Sequence, residues 1–545
     1  MTGKPVANYL QASLPLSEVF RFSSRPNHAH MIHWRTWGKN AFQEAVQQDK
    51  PIFLLITSSW CQWCHIMDET TLSQDNVISI LNNDYIPIRV DSDMRPDINA
   101  RYNQNGWPSV VLLSAQGEIL WGGVYVPPTQ MLYYLGHIRR YYGQHRQEIA
   151  EQAHMLQNAR FTRSLPQTLP ATGQRSLLQE ERLSLTDVPR QAGLVLQDLY
   201  DAEYGGFALH QHLKFPHPEA LELLLQLAQA EPSQTTTLID MVSYSLEQMR
   251  DGGLWDKECG GFFRYSAACD WSTPHTEKML EENALMLHLL LNITLVTQNR
   301  QWYDLAQRLI LYCDSTLWLP EIGVFGGSQR ADEEYYEPAF YSRATRKSPY
   351  VDTTVYTSWN ARMVSTYFLA AKVLHYPALD KMALRTLDWL CDHMLHQEGG
   401  VYHYAVHGSV ALLGQLADSV WLMHALLDAY EQHGTQKYLE VATTLIHFTC
   451  QELFAEESGL FYDSLYDEHA VGRTSMRMHP LTENALAAQC LLRIAAHTVD
   501  DGQCQNLRSA GLLVLSNCLD IYRRTGIQGA VYASVVLNAI EKQWL

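Results

Sequence analysis

Apolar residues fall into two rhythms along this 545-residue chain, and the rhythm changes near residue 186. Residues 39–50 (KNAFQEAVQQDK) space their apolar positions as a short amphipathic helix does. Pro51-Ile-Phe-Leu-Leu-Ile-Thr57 is a continuous apolar run, which predicts a strand buried on both faces. Helical spacing returns after Cys64 at Met67, Val77, Ile80 and Leu81, and Tyr85–Val90 reads as a second strand. Ser109–Leu113 and Glu118–Trp121 flank the turn Ala115-Gln-Gly117 and predict a hairpin, with a last helix near 129–145. The order β-α-β, β-hairpin, α describes a compact α/β domain over residues 1–160, including an N-terminal extension. Residues 161–185, rich in Pro, Ser, Thr and Gln, read as a linker.

From 186 to 545 the period becomes helical throughout. About twelve segments are predicted, near 187–201, 218–231, 236–250, 275–297, 301–318, 356–375, 378–397, 412–433, 435–454, 480–498, 505–523 and 530–542, with no strand pairs between them. A glycine-aromatic motif recurs between these segments. It stands as Glu203-Tyr-Gly-Gly-Phe207, Asp251-Gly-Gly-Leu-Trp255, Glu321-Ile-Gly-Val-Phe325, Glu398-Gly-Gly-Val-Tyr402, Glu457-Ser-Gly-Leu-Phe461 and, more weakly, Gly526-Ile-Gln-Gly529. Repetition every two helices marks a repeat architecture. Six helical hairpins close an (α/α)6 toroid; an open helical solenoid is the alternative.

Acidic residues outnumber basic ones 58 to 40, for a formal charge of -18. Residues 1–160 are balanced at 13 of each sign, so the surplus of acid lies downstream, at 45 against 27. Such a chain is a poor match for nucleic acid, which needs clustered Lys and Arg. The downstream acid reads either as the solvated surface of a large domain or as an acidic cavity for neutral or cationic ligands. The first twenty residues hold no apolar core of signal-peptide length, and no apolar stretch approaches a membrane span, so the expectation is a soluble, cytoplasmic protein without a membrane partner. Of ten cysteines only Cys61 and Cys64 lie close together, which argues against a disulfide scaffold.

Cys61-Gln-Trp-Cys64 sits between the apolar run and a helix. A strand feeding a helix puts Cys61 at the helix N-terminus, where partial positive charge stabilises a thiolate, and Cys64, one turn on, is placed to resolve a mixed disulfide. Trp60 adds a flat apolar surface beside the sulfur. With His65 the motif also matches covalent haem attachment, and the pair could serve zinc or a purely structural role. The missing export signal and strand-helix context disfavour haem; the lack of a second close Cys or His pair disfavours zinc. Gly106-Trp107-Pro108 precedes the third strand, where a cis proline facing the disulfide or an ordinary trans turn would fit.

These residues, in this order, resemble the spermatogenesis-associated protein 20 family. The likeness runs through His28-Ala-His30 with Trp34 and Trp37-Gly38, Lys50-Pro-Ile-Phe53, Cys61-Gln-Trp-Cys-His65, Val90-Asp91 with Arg95-Pro-Asp97, and Gly106-Trp-Pro108. It continues through Tyr204-Gly-Gly-Phe207 with Lys214-Phe-Pro216, Gly260-Gly-Phe-Phe-Arg-Tyr265, Pro274-His275, Glu277-Lys-Met-Leu280, Asn283, Trp359-Asn360 and Leu426-Leu-Asp-Ala-Tyr430. The resemblance implies an α/β thioredoxin-like domain followed by an all-α six-hairpin glycosidase-like toroid. Some positions depart from the family pattern. Leu55 stands where thioredoxin keeps a buried acid, which leaves proton transfer at the resolving thiol to His65 or water. Thr276 replaces a usual Phe, and the stretches 337–352 and 478–484 differ.

Polar and aromatic residues near predicted helix starts are the candidates for a ligand cavity. Trp255, Arg264, Tyr265, His275, Glu277, Lys278, Glu282 and Asn283 form one group. Asp352, Trp359 and Asn360 form a second, Asp418 and Trp421 a third, and His479, Glu483 and Asn484 a fourth. Carboxylates and imidazoles suit general acid-base work, and tryptophans stack on sugar rings. The functional expectation is therefore a thiol-disulfide oxidoreductase using Cys61 and Cys64, with Pro108, Trp60 and His65 around them. Its toroid would recognise a protein thiol or disulfide partner or a sugar-like molecule. The redox disulfide serves as its own cofactor and no metal is expected. A sugar hydrolase or epimerase and a non-catalytic scaffold are the rivals.

Overall fold

The computed structural model describes residues 20–149, 151–152, 155, 184–209, 213–336, 343 and 346–545. The expected linker 161–185 lies outside the described residues except for its last two, and so does most of 337–345 in the divergent stretch. The chain forms two compact units.

The α/β unit runs α1 (Lys39–Gln48), β1 (Ile52–Thr57), α2 (Gln62–Glu69), α3 (Asp75–Asp84), β2 (Ile86–Asp91), α4 (Pro96–Tyr102), β3 (Ser109–Leu113), β4 (Ile119–Gly123) and α5 (Pro128–Gln144). Its sheet has the order β2-β1-β3-β4, with β1 parallel to β2 and antiparallel to β3. This is the thioredoxin-like arrangement. All six residues of β1 are buried, because an apolar core lies on each face of the sheet. The helical stretch expected after Cys64 is broken between Glu69 and Asp75. Thr70 donates its hydroxyl back to Ile66 O (2.6 Å) and Thr71 to Val126 O (2.8 Å), and such side-chain bonds compete with helix continuation. A buried bidentate ion pair holds the N-terminal extension: Arg89 meets both oxygens of Asp68 at 2.7 and 2.9 Å and donates to Arg21 O at 2.7 Å.

Residues Tyr466–Met478 also belong to this unit, although the sequence boundary assigns everything after 186 to the helical domain. Val471 packs against the sheet's second core, Arg473 N donates to Tyr102 Oη (2.7 Å), and Arg101 donates to the carbonyls of Arg473 and Met476. Pairing at that sequence distance leaves no local signature.

The helical unit contains α6 (Val188–Asp198), α7 (Pro218–Ala230), α8 (Thr235–Gly252), α9 (Leu280–Thr297), α10 (Arg300–Tyr312), α11 (Thr357–Val373), α12 (Pro377–His393), α13 (Leu416–His433), α14 (Gln436–Glu452), α15 (Leu481–His497), α16 (Asp501–Tyr522) and α17 (Ala530–Glu541). Helices α7, α9, α11, α13, α15 and α17 pack each on the next, and α17 packs back on α7. That closure makes an (α/α)6 toroid and excludes the open solenoid. The outer helices alternate with the inner ones along the chain, so all six inner helices start at the same end of the ring. Helix α6 packs on α17, joining the two ends of the unit.

The recurring glycine motif marks the corner of the first five repeats, and in the sixth Gly526–Gly529 forms a 3-10 turn between α16 and α17. The chain leaves an outer helix, makes a tiny hairpin and enters an inner helix. Residues seven apart pair across these hairpins, as Tyr200 with Phe207, Trp255 with Phe262, Trp318 with Phe325 and Phe454 with Phe461. In the second repeat the corner is therefore Gly260-Gly261-Phe262, while Gly252 and Gly253 end α8. Gly261 has φ 84° and lies so close to Tyr312 that a Cβ would sit 2.7 Å from its ring. Only glycine meets both demands.

An asparagine in the first turn of the inner helix locks three of these corners. Asn283 accepts from Phe262 N (2.8 Å) and donates to Phe262 O and Met279 O. Asn360 does the same with Phe325 and Tyr356 O, and Asn484 with Phe461 and Pro480 O. The absence of strands after 186 is corrected. Tyr402–Val406 and Ser409–Leu413, five residues each, form a hairpin, and several two-residue pairs mark the corners. His407 and Gly408 both take positive φ at the hairpin turn, so an alternating pattern folds back where the sequence reads as the approach to a helix. No described helix is long and apolar enough to cross a membrane.

Replacing Asn283, Asn360 or Asn484 by Ala strips a buried N–H and two carbonyls of their partners. Each change is predicted to destabilise the helical unit by on the order of 3 kcal/mol. Denaturant unfolding of each variant against wild type measures it; an unchanged midpoint would contradict the clamp.

Candidate functional site

The α/β unit places its chemistry where β1 runs into α2. Cys61 is the N-cap of α2 and its Sγ accepts from Cys64 N at 3.2 Å, so a first-turn amide points at the sulfur. The two cysteines are joined as a disulfide, with Cα atoms 5.3 Å apart, and both are buried. Trp60 donates Nε1 to Asp93 Oδ2 (2.7 Å), which also accepts from Ser58 (2.8 Å). The Trp60 ring meets Trp107 edge-on at 5.4 Å, and the Trp107–Pro108 bond is cis. Trp63, between the cysteines, is 44% exposed and leans on Tyr125 at 5.1 Å. His65 places Nε2 3.0 Å from Ser59 O, and Leu55 is fully buried in the strand.

The toroid gathers a second set at the starts of its inner helices. Arg362 of α11 is central: it bridges to Glu281 Oε1 at 2.6 Å and lies over the Trp421 ring of α13 at 4.1 Å. Its charge acts on Glu219 of α7 and Glu483 of α15. Five of the six inner helices thus contribute to one mouth. Burial raises the pKa of Glu219, Glu277 and Glu483, with Arg362 or Arg264 only partly opposing it. Burial and the Glu281 charge push Glu282 up to about 7 against the pull of Arg264, which bonds it at 3.2 Å. Tyr265 is stacked between Phe215 (4.8 Å) and His275 (4.3 Å); burial and the Arg264 charge hold His275 below its ordinary pKa. Among the described residues, no three His, Cys, Asp or Glu side chains are grouped to hold a metal.

Other expected ligand residues are placed in structural roles. Lys278 is completely buried, bonded to Asp256 (2.7 Å) and Gly260 O (2.6 Å), with its ammonium over the rings of Phe263, Tyr312 and Tyr336. Trp255 is core, edge-on to Phe262. Asn283, Asn360 and Asn484 are the corner clamps. Asp352 caps its own turn by accepting from Thr354 N and Oγ1. Asp418 accepts from Ser358 N (3.1 Å) and pairs with His403 (2.8 Å) in the interior. His479 stacks on Tyr462 and approaches Phe461 O at 3.0 Å. Trp359 packs on Tyr356 and is nearly buried. The mouth retains Arg264, Tyr265, His275, Glu277, Glu282 and Glu483 and gains Glu219, Glu281 and Arg362. The gained residues share a register, in the first two turns of inner helices, that the sequence displays once those helices are recognised.

Comparison with known proteins agrees with both units. The family model for a DsbH-type thioredoxin, described as a protein of unknown function (DUF255), matches residues 24–160. The chain is 24% identical to spermatogenesis-associated protein 20 of Homo sapiens over 547 residues, covering 78% of this chain and 68% of that protein. It is 29% identical to the Rattus norvegicus protein of the same name over 53% of this chain and 38% of that protein. The chain resembles that family along much of its length. A solved cellobiose 2-epimerase from Bacillus thermoamylovorans superposes with a TM-score of 0.52 at 12% identity, covering 66% of this chain and all of that one. That likeness shows the fold: the helical unit is a six-hairpin glycosidase-like toroid.

The raised carboxyls give a testable sign. An acid held above its ordinary pKa keeps a proton in the folded chain that the unfolded chain has released. The contribution of these groups to stability therefore falls as pH rises from about 4.5 to about 7. Glu282→Gln removes the largest such group, so its stability relative to wild type is predicted to climb across this window. Urea denaturation at stepped pH measures it, and parallel profiles would contradict it.

Proposed function

We propose that the protein is a thiol-disulfide oxidoreductase whose reacting atom is Cys61 Sγ, carried on a toroid that recognises the partner or ligand. The observation that supports this reading most is the Cys64 amide directed at Cys61 Sγ from the first turn of α2. In the reduced protein the same donor favours a thiolate over a thiol. That thiolate attacks a substrate disulfide, forming a mixed disulfide and releasing one substrate thiolate. The Cys64 thiolate then attacks Cys61 Sγ, the second substrate thiolate leaves, and the pair remains oxidised. Two electrons pass to the substrate, and an external dithiol restores the pair. The exposed ring of Trp63, between the cysteines, supplies an apolar surface for a polypeptide, and the buried Trp60 packs edge-on against Trp107, which precedes Pro108. A cytoplasmic setting, expected from the sequence, accords with Cys61–Cys64 being the one disulfide among the described residues.

A second reading concerns the toroid mouth. Glu282 near neutrality, beside Arg264 and the stacked Tyr265 and His275, suits hydrogen bonding to a polyhydroxylated ligand. A neighbour titled a cellobiose 2-epimerase has this fold, which makes a sugar-like ligand the natural class to test.

Cys64→Ser is predicted to accumulate a mixed disulfide with a reporter such as insulin, because the resolving thiol is gone, while Cys61→Ser forms none. Both variants should lose reductase turnover with a dithiol. Non-reducing electrophoresis with mass spectrometry reads the adducts, and full turnover by Cys61→Ser would overturn the assignment.

A further inference from the structure

The inner helices of the toroid end around a second opening, opposite the mouth described above. A cavity of about 880 Å3 lies there, lined by α7 from its second turn onward and by the middle and C-terminal parts of α9, α11, α13 and α17. None of its lining residues belongs to the helix-start mouth. Two features give it a chemical character.

The first is charge. Glu222, Asp428, Glu431 and Glu541 line the cavity against Lys372, with Arg493 beside it pairing with Asp428 (2.7 Å) and Glu431 (2.9 Å). The count leaves negative charge in excess. The C-terminal ends of parallel helices, which carry partial negative charge, face the same space and deepen the potential. His288 registers this field. Burial disfavours its imidazolium, yet its pKa is raised by the nearby Glu222 carboxylate and by the charge of Asp428.

The second is an incomplete hydrogen-bond set at Glu222. Its Oε1 accepts from Asn292 Nδ2 at 2.7 Å, and Asn292 Nδ2 also approaches His288 Nδ1 at 3.1 Å. Its Oε2 is buried with no hydrogen-bond donor among the described residues, and His288 Nδ1 stops 3.8 Å away. A buried carboxylate oxygen without a donor is costly, and a ligand that brings a charged donor removes the cost. Among the polar side chains that line most of the cavity, Leu225, Leu295, Phe368 and Leu537 contribute apolar surface.

We propose that this cavity is a binding site for a small aliphatic ammonium ion, with the ammonium on Glu222 Oε2 and its hydrocarbon body against Leu225, Phe368 and Leu537. The geometry demands a positive donor at one end and an apolar stem behind it. A neutral sugar meets only part of that demand, and an anion is repelled.

Isothermal titration of the full-length protein with cadaverine tests the site, with 1,5-pentanediol as its uncharged isostere. Cadaverine is expected to bind, the diol to give no heat, and the affinity for cadaverine to fall as salt is raised in wild-type protein. Glu222→Gln keeps the shape and the Asn292 contact and should weaken cadaverine binding roughly tenfold or more. Asp520→Asn, on the exposed side of α16, should leave it unchanged. An N-acetyl-lysine amide distinguishes a free amine from a protein side chain, and tighter binding of this derivative would overturn the small-molecule assignment. No binding of cadaverine at millimolar concentration, equal binding of the diol, or an undiminished affinity in folded Glu222→Gln would each overturn the site.

Discussion

Where a chain turns into a helix, backbone groups outside the helical ladder must find partners, and that need organises both halves of this protein. In the toroid, Asn283, Asn360 and Asn484 answer it. Each ties the carbonyl just before its helix to the amide and carbonyl of an aromatic corner residue. Corner and helix start become one unit, the aromatic pair fills the space beneath, and the glycines let the outer helix close over it. In the α/β unit a sulfur takes the place of the amide oxygen. Cys61 Sγ receives the first-turn amide of Cys64, and the bond that caps the helix also tunes the reacting atom.

The same constraint separates structure from candidate chemistry in the toroid. Polar residues at helix starts serve two masters, the backbone and the ring interior. Those whose hydrogen bonds go to main chain, such as Asn283 and Asn360, are spoken for. Those held mainly by other side chains, such as Glu282 with Arg264 and Glu281 with Arg362, line the mouth. The two openings of the ring then differ in kind. The start end joins carboxyls whose pKa burial raises, Glu282 to about 7, to two guanidinium groups. The finish end has helix C-termini and a carboxylate oxygen left without a donor.

Much of the fold is legible in the sequence. The apolar run at 51–57 is buried on both faces as its unbroken pattern requires, and the helices fall close to the expected segments because each has an apolar face turned to its neighbours. The glycine-aromatic repeat is visible as a pattern, yet its purpose becomes clear only when Tyr312 and the facing aromatic are in place. Asn283, Asn360 and Asn484 read as ligand residues because polarity at a helix start is common to clamps and binding sites. No local motif marks Arg362 or Glu219, because their partners come from other helices. The segment 466–478 carries no local sign that Val471 completes a sheet core hundreds of residues upstream.

The central claim is that the helix start makes Cys61, and not Cys64, the reacting thiol. After reduction, a brief pulse of iodoacetamide at neutral pH, mapped by mass spectrometry, compares the two sulfurs directly in the intact chain. The account predicts that Cys61 is labelled first and Cys64 only after longer exposure. Equal labelling, or Cys64 ahead of Cys61, would contradict it.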